Sequence, residues 1–447
     1  MLIEPQSIGP LLDSLNTVDD NPSGSGIVVW LPFDGDATAT VLLGNFLTVH
    51  LGRSEFALAG KSKKKSHRER KAAILADADD KFPGWKKPLR PIEQYLLDVA
   101  DEIRGERIVA VSNAGAQAAA EIAKKNPDAK VVCNFLDAFL ADSARARNEG
   151  VENLEITCLP DLPEGKCDAV VIPFPAKGES DLAREYLQQT LQLLAPDGRL
   201  FASSDNVKDR WLHDQLRAAF QKVTNRETPK GRLYIASQPK PLKKVKDFGC
   251  WFAFRDGERL IHTCSRPAVF SHRRMDNGAR ALIDSLLIAD GPRAGEAVKD
   301  NFRVLDIGCG NGSVGFAAAL RAENVQVHAM DANARAVQCA AMGAAKNEIA
   351  GFTTQLEAAG QCAEPGTFDL ALANPPYFSN FRIAEIFVQA AFACLKPGGR
   401  LHFVTKQPEW FADRFVEVFD EVSVLETRGY FVVKATQLTP QPESVWG

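Results

Sequence analysis

Three short strings of this sequence recur about one domain further along. Arg107-Ile108-Val109 is matched by Arg303-Val304-Leu305, an offset of 303 − 107 = 196. Asp168-Ala169-Val170 is matched by Asp369-Leu370-Ala371, an offset of 369 − 168 = 201. The turn Ala195-Pro196-Asp197-Gly198-Arg199-Leu200 returns as Lys396-Pro397-Gly398-Gly399-Arg400-Leu401 at that same offset of 201. A repeat of this length restricts the chain to two copies of one fold. Within the first copy, apolar runs at 107–111, 130–134 and 168–172 alternate with helical patterns, one reaching about Lys125 and one over 180–194. That alternation is the βαβ signature of a parallel, doubly wound α/β sheet.

The second copy carries a loop that the first has lost. Val304-Leu305-Asp306-Ile307-Gly308-Cys309-Gly310-Asn311-Gly312 runs from an apolar strand through alternate glycines into an Ala-rich helix. Glycines let a backbone turn tightly and approach a ligand at a helix start. The D-x-G-x-G-x-G spacing differs from the GxGxxG dinucleotide fingerprint. It suits a ligand whose amino-acid end is both cationic and anionic, with Asp306 orienting the loop and its ammonium contact. The next strand, Val325 to Met330, ends in Asp331, placed to accept two ribose hydroxyls or to cap the following helix. Glu357, after the third strand, is a candidate for contact near an adenine. In the first copy Ala110 stands in place of Asp306, Ser112 and Ala114 in place of Gly308 and Gly310, and Pro173 in place of Asn374. That copy is expected to be a scaffold or an RNA-binding unit and not catalytic.

Asn374-Pro375-Pro376-Tyr377 ends the apolar strand Phe368 to Ala373. Two prolines stop the strand by removing donors and fixing φ. Asn374 is thereby left at the strand's carboxyl edge, where open α/β sheets bind ligands. Its amide oxygen, with a carbonyl of the Pro-Pro segment, can accept both hydrogens of a planar amino group, and Tyr377 can stack on the attached ring. A capped turn is the plainer reading of the same four residues.

D-x-G-x-G-x-G together with Asn-Pro-Pro-Tyr resembles a class I S-adenosylmethionine-dependent methyltransferase acting on an amino nitrogen. With the degenerate first copy and Val269-Phe270-Ser271, the chain more specifically resembles the tandem-domain ribosomal RNA guanine-N2 methyltransferases. The resemblance covers about residues 90–435. It implies two tandem Rossmann-like domains, the first degenerate, and S-adenosylmethionine held by Asp306, Gly308, Cys309, Gly310, Gly312, Asp331 and Glu357. Phe270 and Asp276 would close over that cofactor. Asn374 and Pro375 would grip the guanine amino group, followed by Pro376, and Tyr377 would stack on the base. The expected division is 1–90 as an extension, 91–240 as the degenerate domain, 241–264 as a linker and hairpin, and 265–447 as the catalytic domain. Rival readings are an adenine-N6 or protein-glutamine N5 methyltransferase, or a non-catalytic RNA-binding assembly factor.

Composition narrows the partners. The chain has a net charge of −4, so RNA has to meet local basic patches. Lys63, Lys64, Lys65 and Arg68, with Lys243, Lys244 and Arg382, are the candidates for phosphate contact. The nine cysteines are scattered, with no CxxC pair, which suits a reducing cytoplasm. The seven histidines lack any ligand spacing, so no metal is expected. No signal peptide or membrane span is legible. Ribosomal RNA or a ribosomal subunit is the expected partner, and the oligomeric state is open.

Overall fold

The computed structural model describes residues 91–288, 295–361, 364–376 and 381–438, together with the backbone of four strands between residues 27 and 57. Tyr377 and the basic run Lys63, Lys64, Lys65 and Arg68 lie outside the described residues. The chain divides into two compact units, Met1–Lys64 and Lys65–Gly447. In the first, Ile27–Phe33, Asp36–Leu43 and Phe46–Val49 form an antiparallel sheet. The apolar and β-branched residues from 40 to 51 could make strands, and two of these strands draw on them.

The second unit opens with α1 (Pro91–Leu97), which starts on a proline whose missing N–H costs nothing there. The helical spacing of Ile92, Tyr95, Leu96, Val99 and Ile103 predicts one helix over 91–104. Instead a 3-10 turn at Ala100–Glu102 tightens the chain, keeping Val99, Ala100 and Ile103 all in the core. Then follow β1 (Arg107–Val111), α2 (Gln117–Lys125), β2 (Lys130–Phe135), α3 (Ala138–Arg147), β3 (Leu154–Cys158) and β4 (Cys167–Phe174). This copy ends with α4 (Ser180–Leu193), β5 (Leu194–Ser204), α5 (Trp211–Ala219), β6 (Phe220–Thr228) and β7 (Gly231–Pro239). A hairpin of β8 (Cys250–Asp256) and β9 (Arg259–Ser265) leads to α6 (Asn277–Asp284).

The second copy comprises β10 (Arg303–Ile307), α7 (Ser313–Ala319), β11 (Gln326–Asp331), α8 (Ala334–Lys346), β12 (Phe352–Leu356) and β13 (Phe368–Ala373). It closes with α9 (Arg382–Cys394), β14 (Leu395–Thr405), α10 (Pro408–Val418), β15 (Glu421–Thr427) and β16 (Tyr430–Gln437). The first sheet runs β3-β2-β1-β4-β5-β7-β6, and the strands between 303 and 437 run β12-β11-β10-β13-β14-β16-β15. The orders correspond strand for strand, so the sequence repeat is a repeat of topology. Central strands are buried on both faces, as parallel sheets are: Ile108 and Ala110 pack towards α1 and α2, Val109 and Val111 towards α4.

The repeated aspartates do the same local job in each copy. Asp168 Oδ2 accepts the Glu106 and Arg107 amides, and Asp369 Oδ2 accepts the Arg303 amide, each tying the start of one central strand to its neighbour.

The copies are joined at the carboxyl edges of their sheets. Ala138 N donates to Ala332 O and Ala334 N donates to Leu136 O, both at 2.8 Å. Arg335, with 0% of its surface exposed, donates through Nη1 to Glu185 Oε2 at 2.5 Å and through Nε to Pro160 O at 2.7 Å. Arg266 shares that partner, bonding Glu185 Oε1 at 2.6 Å and both oxygens of Asp161. Burial opposes ionisation of Asp161, but the Arg266 guanidinium outweighs it and lowers its pKa. Removing one member of a buried charge cluster leaves the others desolvated and short of a partner. Arg335→Ala is therefore expected to lower unfolding free energy by about 3–5 kcal/mol in urea titrations. A loss below about 1 kcal/mol, the range of an exposed pair, would contradict this account of the junction.

Candidate active site

Ile307 and Ala373 are register partners at the ends of neighbouring parallel strands β10 and β13. The glycine loop and Asn374 therefore leave the sheet side by side. β11 delivers Asp331 on the other side of β10, and Asp331 pairs with Leu356 on β12, one residue before Glu357. Four expected site segments thus gather along one sheet edge, the place where such sheets bind ligands.

The loop is wound by left-handed glycines, with φ of +69° at Gly308 and +53° at Gly310. Gly308 lies under the Phe387 ring, which an added Cβ would meet at 2.6 Å; a Cβ on Gly310 would meet nothing within 4 Å. The open side of the loop is therefore at Gly310. Its N–H donates to Asp331 Oδ2 at 2.8 Å, while Asp331 Oδ1 accepts the Asn333 N–H at 2.8 Å. Burial raises the Asp331 pKa. Each carboxylate oxygen keeps a further lone pair for a ligand hydroxyl. Glu357 N donates to Asp331 O at 2.9 Å, and its Oε1 accepts from Ala359 N at 2.6 Å. Thr263 on β9 braces the loop from behind, donating to Asn311 O at 3.0 Å.

Asp306 takes a different place from the one expected. It is 3% exposed and its Oδ2 accepts the Gly315 N–H at 2.9 Å, so it braces α7 beneath the loop. Burial pushes its pKa up to about 7. Cys309 is also buried, and burial pushes its thiol well up, which keeps it protonated.

Asn374 is half-buried, Pro375 buried and Pro376 half-buried. Beside them a hollow between the ends of β13 and β14 is lined by Pro375, Pro376, Phe381, Thr405, Gln407 and Phe411. Phe381 is stacked on Trp410 with centroids 4.5 Å apart. Asp276 caps α6 and also reaches Asn374. Phe270 is 65% exposed on the segment leading to that cap. Lys243 and Lys244 are exposed in the linker before β8, and Arg382 is exposed at the start of α9. Among the described residues no cluster of His, Cys, Asp and Glu could hold a metal. No helix among them is long and apolar enough to cross a membrane.

The matching loop in the first copy is closed from within. Glu93 Oε1 accepts the Asn113 N–H at 2.7 Å and the Ser112 hydroxyl at 3.1 Å. Ser112 Oγ accepts the Ala114 and Ala116 amides, and Gln117 Oε1 accepts the Gly115 amide. Four consecutive amides are thereby spent on the protein's own side chains. The substitutions Ser112 and Ala114 announced a lost loop; Glu93, which fills it from α1, carried no sequence signal.

These features fit S-adenosylmethionine in the second copy alone. The uncovered backbone at Gly310 and the Asp331 carboxylate could hold its amino-acid and ribose ends.

Comparison with known proteins agrees with this placement. Residues 261–435 match the family described as "Methyltransferase small domain". A ribosomal RNA small subunit methyltransferase C from Chromohalobacter salexigens is 37% identical over 34% of this chain, a match spanning only 45% of that relative's length. A ribosomal RNA large subunit methyltransferase G from Klebsiella pneumoniae is 24% identical over 78% of this chain and 92% of its own. The solved structure of a T. thermophilus 16S rRNA N2 G1207 methyltransferase, in complex with AdoMet and guanosine, shares the fold at a TM-score of 0.66. It is 18% identical, and the match covers 92% of this chain and 98% of that one.

Asp306 yields a pH prediction. Its folded pKa, about 7, lies above the ordinary 3.8, so between these values the folded state holds a proton that the unfolded state has released. Its burial therefore leaves stability intact below about pH 4, erodes it as pH rises towards 7, and adds no further loss above. Asp306→Asn, which still accepts from Gly315, should flatten the fall in unfolding free energy between pH 4.5 and 7.5. An unchanged slope in urea titrations at those two pH values would contradict the burial argument.

Proposed function

We propose that this chain is a member of the tandem-domain ribosomal RNA guanine-N2 methyltransferases, which its second copy and its fold resemble, and that it methylates the exocyclic amino nitrogen of a guanine in ribosomal RNA. The observation that carries the reading is the pairing of Ile307 with Ala373, which sets an open glycine loop beside an Asn-Pro-Pro amide. When bound, S-adenosylmethionine supplies a methyl group on a sulfonium, already a strong electrophile. Gly308, Gly310 and Asp331 would hold it, with Glu357 beside Asp331 and Phe270 at the rim.

The chain's own work is then positioning, which can contribute much of a barrier reduction. Asn374 Oδ1 and the Pro375 carbonyl accept the two amino hydrogens, directing the nitrogen lone pair away from them. The turned-out base would lie against the surface bordered by the prolines and Phe381. Buried, protonated Cys309 has no part in the reaction.

The closed and open loops support a division into 91–240 as scaffold and 265–447 as catalytic domain. RNA phosphates would be met by Lys243, Lys244 and Arg382, with Trp251, 48% exposed at the start of β8, available for stacking. A ribosomal subunit and naked ribosomal RNA are both candidate substrates.

The test is transfer of labelled methyl groups to unmodified ribosomal RNA and to assembled subunits, followed by nucleoside digestion. N2-methylguanosine is expected, with kcat reduced roughly 100-fold or more in Asn374→Ala. N6-methyladenosine would overturn the choice of base. Absence of RNA methylation alongside retained cofactor binding would overturn the reaction.

A further inference from the structure

Asp276 and Asn374 are 98 residues apart in sequence and meet at the site: Asn374 Nδ2 donates to Asp276 Oδ2 at 3.0 Å. We propose that Asp276 is a positioning residue, fixing the Asn374 amide so that its oxygen faces the nitrogen to be methylated. The inference rests on the function proposed above and assigns Asp276 a role different from the cofactor closure expected from sequence.

An asparagine amide has a donor end and an acceptor end of nearly equal shape, so nothing in its own structure chooses between two orientations related by a flip. Only one serves the reaction. An amino group offers hydrogens and needs Oδ1; the flipped amide would confront it with two further hydrogens. An ionised carboxylate has only acceptors, so Asp276 selects the orientation with Nδ2 inward and Oδ1 outward. A hydrogen bond to a charged group biases such a choice by roughly tenfold to a hundredfold.

The carboxylate is itself held. The same Oδ2 accepts the Ala279 N–H at 2.9 Å, Asp276 being the N-cap of α6. One cap thus anchors both a helix and a catalytic amide. Gly278 in the first turn of α6 leaves room for the pair. A Cβ there would lie 2.9 Å from Asn374 Oδ1, 3.0 Å from Asp276 Oδ2 and 3.4 Å from Asn374 Nδ2. Its φ is outside the left-handed region, so alanine at 278 is tolerated by the backbone and its cost falls on the amide.

A fixed acceptor also sets specificity. The site should favour a base bearing an amino group over one lacking it, because an unmet buried acceptor costs affinity. Guanosine and inosine differ by that 2-amino group alone, which gives a readout independent of turnover.

The experiment uses the full-length protein and the variants Asp276→Asn, Asp276→Ser and Gly278→Ala. Asparagine and serine both keep a capping side chain. Asparagine offers Asn374 a donor as well as an acceptor, and serine is too short to reach it. Gly278→Ala keeps the Asp276 carboxylate chemically intact while crowding its contact with the amide, so it stays informative if a 276 variant fails to fold. Melting curves check folding. Calorimetry measures S-adenosylhomocysteine affinity and, with that compound saturating, the ratio of guanosine to inosine affinity.

Expected are a kcat lowered about tenfold or more, a guanosine-to-inosine ratio falling towards one, and little change in S-adenosylhomocysteine affinity. In a double-mutant cycle, Asp276→Asn should add almost nothing once Asn374 is alanine. Weakened S-adenosylhomocysteine binding with kcat restored at saturating cofactor would overturn the proposal in favour of cofactor closure. Additive losses in the cycle would overturn it too. If the wild-type protein methylates no ribosomal RNA, the reaction fails separately; a wild-type guanosine preference lost in Asp276→Asn still supports the amide orientation, and no wild-type preference overturns it.

Discussion

A loop that turns from a strand into a helix leaves backbone N–H groups that must find acceptors, and the two halves of this protein meet that demand in opposite ways. In the first, Glu93, Ser112 and Gln117 take the amides of residues 113–116. In the second, the Cys309 N–H goes to Met330 O, Gly310 N–H goes to Asp331 and Gly312 N–H goes to Cys309 O, leaving the loop's outer side clear at Gly310. Unmet buried donors are costly. The first copy thus spends side chains across its loop, where the second uses Met330, Asp331 and Cys309 and leaves Gly310 uncovered.

The closed copy contributes in another way. Its carboxyl edge clamps Ala332, Ala334 and Arg335, just after Asp331, which bonds the glycine loop. Arg266, joined to Glu185 and Asp161, similarly fixes the start of the segment that carries Phe270 and Asp276. Glu179 of the first copy accepts the Ala268 N–H within that same segment. Site geometry in one half is thus held by charges buried against the other, and tight placement is what a reaction driven by alignment requires.

Much of this was legible before any coordinates. The repeat offsets, the alternate glycines and the prolines after Ala373 act locally, through backbone conformation and periodicity, and they located both sheets and the strand ends that meet at one edge. Other features depend on contacts between distant residues. The Asp306 side chain turned under the loop because Gly315 offered a donor within the core, which spacing alone does not reveal. Leu154–Cys158 was not read as a strand because none of its residues is fully buried, and its apolar pattern is correspondingly thin. The Asp276–Asn374 contact joins a strand end legible in the sequence to a residue expected at the cofactor, and both the Asp276 N-cap and the meeting of the two are determined only by the fold.

The central claim is that one copy binds the cofactor and the other has closed its own cleft. Calorimetric titration of the full-length protein with S-adenosylmethionine tests it most directly. The account predicts one molecule bound per chain, with binding lost in Asp331→Ala and retained in Ser112→Ala. Two molecules per chain, or binding that survives Asp331→Ala and disappears in Ser112→Ala, would contradict it.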